Sequence, residues 1–355
     1  MRYQTRVEKI DEDLIKGEKL AELKEHQAIR LGARLLRQGE VVAFPTETVY
    51  GLGADATSSK AVGKIFKAKG RPQDNPLIVH IATKNQLEQV IEGGLTPAGR
   101  RLIEAFWPGP LTIILNKSEL ISVTTTAGLT SVAIRMPSHP VARALIEASS
   151  LPIAAPSANL SGAPSPTLAE HVLNDLKGKI PLIIDGGPAR VGVESTVVDV
   201  RNDIPVILRP GGVSREEIEE TLGFEVRVAG GQEVAEGVPP SPGMKYRHYS
   251  PRTPLILLEE KERDKIAEMA EEYSNKRIGL VITAETLQEL NNFPENVLVV
   301  RMGSRSRPEE IASKLFALLR RLDQSNLDLI LIEAIPEKGI GAAVMNRLYK
   351  ASTRE

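Results

Sequence analysis

The sequence predicts a two-domain α/β protein, and three observations carry that prediction. Short apolar runs alternate with helical patterns from about residue 20 to 222. The stretch 224–254 then loses all periodicity and carries five prolines between positions 239 and 254. The alternation resumes at 255 and continues to the end. At 355 residues, the length also favours about two domains. The expected division is a large domain over 1–223, a Pro-rich linker over 224–254 and a smaller domain over 255–355.

The elements follow in order. Leu23, Leu31 and Leu35 recur at helical spacing across 22–38, and Gly39 supplies a stop. VVAF (41–44) reads as a buried strand ending in a Gly-punctuated loop, 45–56. SSKAVGKIFKAK (58–69) reads as a helix entered through a Ser cap. LIVHIA (77–82), LTIIL (111–115), SVAIRM (131–136), PIAA (152–155), PLIID (181–185), STVVDV (195–200) and PVILR (205–209) read as strands. TPAGRRLIEAF (96–106) has a Thr cap with Pro at the first helical position. SREEIEETLG (214–223) has a Ser-x-x-Glu capping box and a terminal Gly. In the tail, LILLEE, RIGLVIT, VLVV and LILIEA are strands. They are separated by a charged helix to about 274, a short helix and a helix at 308–323, and a last helix follows at 342–350. Strands joined through helices predict a parallel, Rossmann-like sheet there.

Composition narrows the function. Lys plus Arg is 45 and Asp plus Glu is 46, so no bulk positive charge marks a generic binder of nucleic-acid backbones. The chain has no Cys, which excludes disulfides, thiolate catalysis and Cys-ligated zinc. Its five His are scattered, so no His-ligated metal is expected. The first twenty residues hold no apolar core of a secretory signal, and no segment reaches the length of a membrane span. A cytoplasmic protein is expected. GxxxxGK[ST] is absent, so a P-loop is not the nucleotide grip. No GxSxG elbow occurs.

Four stretches concentrate chemistry. FPTETVYGLGADA (44–56) crowds Thr46, Glu47, Thr48, Tyr50 and Asp55 behind a strand end. Ligands bind at the carboxyl ends of strands in open α/β sheets, but a Gly turn with capping Thr fits equally. KAKGRPQDNPLIVH (67–80) places Lys67, Lys69 and Arg71 at a helix end, followed by Asn75 and by His80 in a strand. These cations are either dipole complements or a phosphate grip. APSANLSGAPSPT (155–167) offers Ser157, Asn159, Ser161 and Ser165 in a loop that either grips phosphate or simply connects. Arg135 in SVAIRMP and Arg209 in VILRPGG end apolar strands; either each simply emerges at the strand end, or both are buried and need an anion or carboxylate partner. Ser195 opens another strand in ESTVVDV.

Together, PTETVYGLGADA, KAKGRPQDNPLIVH, SVAIRMP, APSANLSG and ESTVVDV, in this order, resemble the YrdC-like threonylcarbamoyl-AMP synthases. SPGMKYRHYSP in the linker and the closing GIGAAVMNRLYKAS resemble the longer two-domain form. The resemblance implies an N-terminal twisted mixed sheet with helices and a concave cleft, and a C-terminal Rossmann-like α/β domain. It implies a nucleotidyltransferase that turns L-threonine, bicarbonate and ATP into threonylcarbamoyl-AMP and pyrophosphate. Other proteins then transfer the threonylcarbamoyl group to an adenosine of tRNA. Threonine is expected at Thr48, His80, Arg135 and Ser195. ATP is expected at Lys69, Arg71, Asn75, Ser131, Ser157, Asn159, Ser165, Arg209, His248 and Tyr249. No protein metal ligand is expected, and Mg²⁺ is expected to arrive with ATP.

The chemistry implied needs no covalent protein nucleophile. A neutral amine takes up bicarbonate, and the carbamate attacks the α-phosphorus of ATP. Positioning and charge stabilisation by Lys69, Arg71, Arg209 and Mg²⁺ would carry the step. The linker with His248 and Tyr249 is expected to exclude water from the labile intermediate. Three other readings stand beside this one: an RNA-binding module using Lys67, Lys69, Arg71, Arg100 and Arg101, a carbamoyl-transfer domain of the hydrogenase-maturation type, and a nucleotide sensor without turnover. No membrane association and no stable nucleic-acid complex are expected.

Overall fold

The structure, a computed structural model, describes residues 3–229, 249–259, 262, 266–273, 275–290 and 293–353. Among them, packing defines two units. The first comprises 3–161, 165–190 and 194–229. The second comprises 162–164, 191–193 and the described residues from 249 onward.

The first unit is built on a mixed sheet. Its strands are β1 (Arg6–Lys9), β2 (Val42–Phe44), β3 (Gly51–Asp55), β4 (Ile78–His80), β5 (Leu111–Asn116), β6 (Ser131–Arg135), β7 (Ile153–Ala154), β8 (Leu182–Asp185), β9 (Thr196–Asp199), β10 (Val206–Arg209) and β11 (Arg227–Val228). They lie side by side in the order β1-β8-β2-β3-β7-β4-β6-β5-β9-β10-β11. The β4 and β6 strands are parallel, β6 and β5 antiparallel, and β5 and β9 parallel.

The period of two in these strands divides the chemistry. Val79, Ile134, Ile113 and Val198 are register partners and enter the main core with Leu52, Ala54 and Leu77. Each such side chain contributes about 1.5–3 kcal/mol on burial, so this face fixes the register. The alternate residues look the other way. His80 opposes Arg135, Arg135 opposes Thr112, Thr112 opposes Val197, and Val197 opposes Arg209. A small apolar cluster of Ile78, Ala133, Ile114 and Val197 lies on the same face. A second large cluster includes Phe44, Leu182 and Ile184 with Ile29 and Leu36 of the helix Gln27–Arg37 and Leu145 of the helix Pro140–Ser149.

Local signals explain several boundaries. Ser58 accepts a bond from the Ala61 amide, and the helix Ser59–Lys69 ends at left-handed Gly70. Thr96 caps the helix Pro97–Phe106, and Ser214 and Glu217 form the expected capping box of Arg215–Leu222. Two expectations are corrected. The single helix over 22–38 is two helices, Leu20–Glu25 and Gln27–Arg37, because His26 is extended and its Nδ1 accepts the Ala28 amide. The 45–56 loop is shorter than expected, since Gly51–Asp55 returns as β3, antiparallel to β2.

The second unit holds β12 (Leu255–Leu258), β13 (Ile278–Thr283), β14 (Val297–Gly303) and β15 (Leu329–Glu333) in the order β12-β15-β13-β14, every pair parallel. Helices Ile266–Glu272, Ala284–Glu289, Pro308–Asp323 and Gly341–Ala351 occupy the connections and the end. The expected parallel sheet is therefore present. The stretch expected to be an unstructured linker begins with a short strand, β11, and residues 230–248 lie outside the described residues.

Candidate functional site

The loop between β2 and β3 is ordered from within. Thr46 Oγ1 donates to the Val49 carbonyl at 2.6 Å and accepts the amides of Thr48 and Val49 at 3.2 Å. The Thr46 and Thr48 hydroxyls are 2.8 Å apart. This arrangement delivers Thr48 to Arg135, whose Nη1 donates to Thr48 Oγ1 at 2.7 Å. Arg135 Nη2 lies 2.7 Å from Glu47 Oε1, and its Nε donates to the Gly109 carbonyl at 3.2 Å.

A guanidinium has five N–H donors. Hydrogen bonds engage Nη1 and Nε, and the Glu47 carboxylate lies beside Nη2, so the terminal nitrogens keep N–H groups of the kind a carboxylate accepts. Burial drives the Glu47 carboxyl up, but the charge and hydrogen bond of Arg135, with backbone N–H groups of Ser138 and Glu47, outweigh it. Glu47 is therefore held below the usual carboxylate range and stays ionised. His80 is pushed down to about 3 by burial and by the neighbouring Arg135 charge. His139, at the cap of Pro140–Ser149, is lowered to about 4, mainly by burial. Both imidazoles are neutral at physiological pH.

A second group lies further along the same row. Arg209 Nη2 donates to the Ser195 carbonyl at 2.9 Å and to Ser195 Oγ at 3.3 Å. Ser195 Oγ is also 2.7 Å from Thr112 Oγ1. This approach requires Gly211, where a Cβ would collide with backbone atoms of Glu194, Ser195 and Thr196. Glu194 Oε1 accepts from Ser165 Oγ at 2.6 Å, so Ser165 and Ser195 are joined through adjacent residues.

The third group joins the end of Ser59–Lys69 to the loop after β7. Lys69 Nζ donates to the carbonyls of Ser157 and Asn159, both at 2.5 Å. Ser157 Oγ donates to Asn159 Oδ1 at 2.5 Å. Ala158 N donates to the Tyr50 carbonyl at 2.8 Å, which sets this loop beside the Thr48 loop. Lys69 is thus a buried clamp rather than a plain helix-dipole complement. Arg71 Nη2 points to the carbonyls of Pro76 and Asn75 at 3.3 and 3.4 Å. The Asn75 amide is fully buried, and neither of its polar atoms has a hydrogen-bond partner among the described residues. Buried amides are seldom left so.

The expected residues therefore fall into connected sets: Thr48, His80 and Arg135; Ser195, Arg209 and Ser165; and Lys69, Arg71, Asn75, Ser157 and Asn159. Ser131 opens β6 on the face that carries Ala133 and Arg135. Tyr249 belongs to the second unit, where its ring stacks on Phe316 at 5.3 Å and Arg347 lies over its face at 5.6 Å. His248 lies outside the described residues. Two members of the 44–56 stretch do other work. Tyr50 is buried and donates to the Gly187 carbonyl at 2.7 Å, and its hydroxyl pKa is raised by burial and by Asp185. Asp55 Oδ1 accepts the amide and hydroxyl of Thr57, closing a turn.

Sequence reasoning passed over Glu47 as a partner of Arg135, and it passed over Thr112 and Glu194 altogether. Their signals were slight: an acid between two threonines, the one hydroxyl in LTIIL, and an acid before a strand serine. Among the described residues no group of three or more His, Cys, Asp or Glu side chains is placed to hold a metal ion. No helix among them is long and apolar enough to cross a membrane.

Comparisons with known proteins agree along most of the chain. A family described as "Telomere recombination" matches residues 34–211, and one described as "Threonylcarbamoyl-AMP synthase, C-terminal domain" matches 213–353. A threonylcarbamoyl-AMP synthase of Bacillus subtilis is 50% identical over 327 residues, covering 91% of this chain and 92% of its own. One of Pyrococcus abyssi is 48% identical over 337 residues, covering 92% and 95%. The crystal structure of P. abyssi Sua5 complexed with L-threonine superimposes with a TM-score of 0.84 at 46% identity, covering 99% of this chain and 98% of that one.

Proposed function

The chain belongs to the threonylcarbamoyl-AMP synthase family in its two-domain form, and from that premise we propose that it converts L-threonine, bicarbonate and ATP into threonylcarbamoyl-AMP and pyrophosphate. The observation that carries this reading is the Arg135 guanidinium. It is buried, held by Glu47, Thr48 and the Gly109 carbonyl, and its terminal nitrogens keep N–H groups beside the Thr48 hydroxyl.

L-Threonine binds through its carboxylate to Arg135, with Thr48, His80 and Ser195 around it. Neutral His80 offers a hydrogen bond without adding a second positive charge beside Arg135. The threonine ammonium first loses its proton. The amine then adds to bicarbonate with loss of water, forming a carbamate. A carbamate oxygen attacks the α-phosphorus of ATP, an oxygen–phosphorus bond forms, and pyrophosphate leaves with the electron pair of the broken bond. In class terms this is nucleotidyl transfer.

ATP enters as its Mg²⁺ complex, the metal carried by the phosphates. Arg71 and Arg209 meet phosphate charge, and Lys69 holds the Ser157–Asn159 loop against it. Asn75, Ser131 and Ser165 supply further polar contacts. Fixed donors of this kind stabilise developing charge without reorganising during the step. The product serves cytoplasmic threonylcarbamoyl-transfer proteins that modify tRNA.

The test is pyrophosphate release with Mg·ATP, omitting threonine or bicarbonate in turn. Release should need both, and Arg71→Ala should abolish most of it. Folded protein that releases pyrophosphate at the same rate without threonine would refute the reading.

A further inference from the structure

The hydroxyl of Thr112 has no place in the assignments above, yet it sits in the centre of the polar row. Thr112 is fully buried. Its neighbours in the strand, Leu111, Ile113, Ile114 and Leu115, are buried apolar residues. Its Cα partners are Arg135 on one side and Val197 on the other. A buried hydroxyl without a hydrogen bond is costly. Among the described residues, the one hydrogen-bond partner of Thr112 Oγ1 is Ser195 Oγ, at 2.7 Å.

Counting protons leaves one hydroxyl proton of the pair unpaired in either direction, so the direction turns on which hydroxyl meets the substrate. A hydroxyl donates once and accepts twice. Arg209 Nη2 can only donate, so it occupies one lone pair of Ser195 Oγ. If Ser195 donated to Thr112, the Thr112 proton would be buried with no acceptor. If Thr112 donates to Ser195, its proton is satisfied and both lone pairs of Ser195 are filled. The Ser195 proton is then the one left over. With Ser195 read as the substrate-side residue, as above, the second arrangement puts the unpaired proton where the substrate can accept it.

We propose that Thr112 is a positioning residue that fixes Ser195 as a hydrogen-bond donor toward an oxygen of the bound amino-acid substrate, its carboxylate or the carbamate formed from it. The inference rests on the threonine-binding reading of this site. It excludes the opposite polarity, in which Ser195 would accept from the substrate amine. Thr112 touches no substrate itself. It acts by filling the lone pair that would otherwise let the Ser195 hydroxyl rotate.

The test is L-threonine binding by calorimetry, with steady-state kinetics beside it, in Thr112→Val, Thr112→Ser, Ser195→Ala and the double variant Thr112→Val with Ser195→Ala. Valine keeps the shape and β-branching of threonine and removes only the hydroxyl. One neutral hydrogen bond lost corresponds to about five-fold weaker threonine binding in Thr112→Val. The KM for threonine should rise in step, with the KM for ATP unchanged. Thr112→Ser should restore binding to within about two-fold, because the donor returns. In the Ser195→Ala background, Thr112→Val should have no further effect, since residues acting through one contact are not additive. Additive losses in the double variant, or parent-like threonine binding in Thr112→Val, would overturn the proposal. Parent protein that binds no threonine would overturn both this inference and the reading beneath it. Parent-like binding by Thr112→Val in an active enzyme would overturn this inference alone.

Discussion

Arg135 Nη2 and Glu47 Oε1 form an ion pair at 2.7 Å with side chains only 4% and 5% exposed. The pair balances a buried guanidinium inside the fold. Removing one partner leaves the other charge buried and unbalanced. Glu47→Ala should therefore cost about 3–5 kcal/mol of stability in denaturant unfolding. The pair also has a pH signature. The Glu47 pKa is lowered in the folded protein from 4.5. Its contribution is complete above about pH 4.5 and is lost as pH falls through the lower folded value. Glu47→Gln should flatten that acid limb, and an unchanged acid limb would show that the pair carries no such linkage.

His80 should stay neutral through the physiological range. Its pKa falls from 6.5 to about 3 on folding. The unfolded chain thus binds the extra proton first, and the stability from neutral His80 is complete above pH 6.5 and is lost as pH falls toward 3. Imidazole NMR resonances of His80 should not titrate between pH 5 and 8. A midpoint near 6.5 would contradict the buried placement.

Lys69 holds two carbonyls of the 157–159 loop with a charged donor. Hydrogen bonds to a charged group contribute about 1.5–3 kcal/mol. Lys69→Met should raise the KM for ATP at least about ten-fold, with threonine binding little changed. Equal loss of threonine and ATP binding would indicate collapse of the whole site instead.

In the second unit, Glu333 collects the Thr283 amide at 2.7 Å, the Thr286 hydroxyl at 2.8 Å and Arg305 Nη2 at 2.9 Å. Glu333→Ala strands these donors in a buried position. It should destabilise the β13–β15 pairing by about 3 kcal/mol, seen as faster amide exchange at residues 278–283 and 329–333. Unaltered protection there would refute this role.

Much of the architecture was legible because the strands carry strong local signals. The runs LTIIL, SVAIRM and LILIEA are β-branched and apolar, and caps at Ser58, Thr96 and Ser214 mark helix starts. Two missed strands lack such signals. Gly51–Asp55 is a strand whose glycines look like turn residues. Gly53 is required by packing, since a Cβ there would lie 2.7 Å from Ile153 and Phe44. Arg6–Lys9 is an edge strand of mostly exposed residues with no apolar alternation. Within the site, Arg135 and Arg209 stood out as charges ending apolar strands. Thr112 did not, because threonine is an ordinary strand former, and only the register shows that it faces Arg135. Glu47 read as a surface loop acid, because its partner lies 88 positions away in sequence, at Arg135.

The most direct test of the account is identification of the product formed from ¹³C-bicarbonate, L-threonine and Mg·ATP by mass spectrometry. The expected product is threonylcarbamoyl-AMP carrying one ¹³C, formed with pyrophosphate in equal amount. An adenylate of threonine without the labelled carbon, or no adenylate from folded protein, would contradict it.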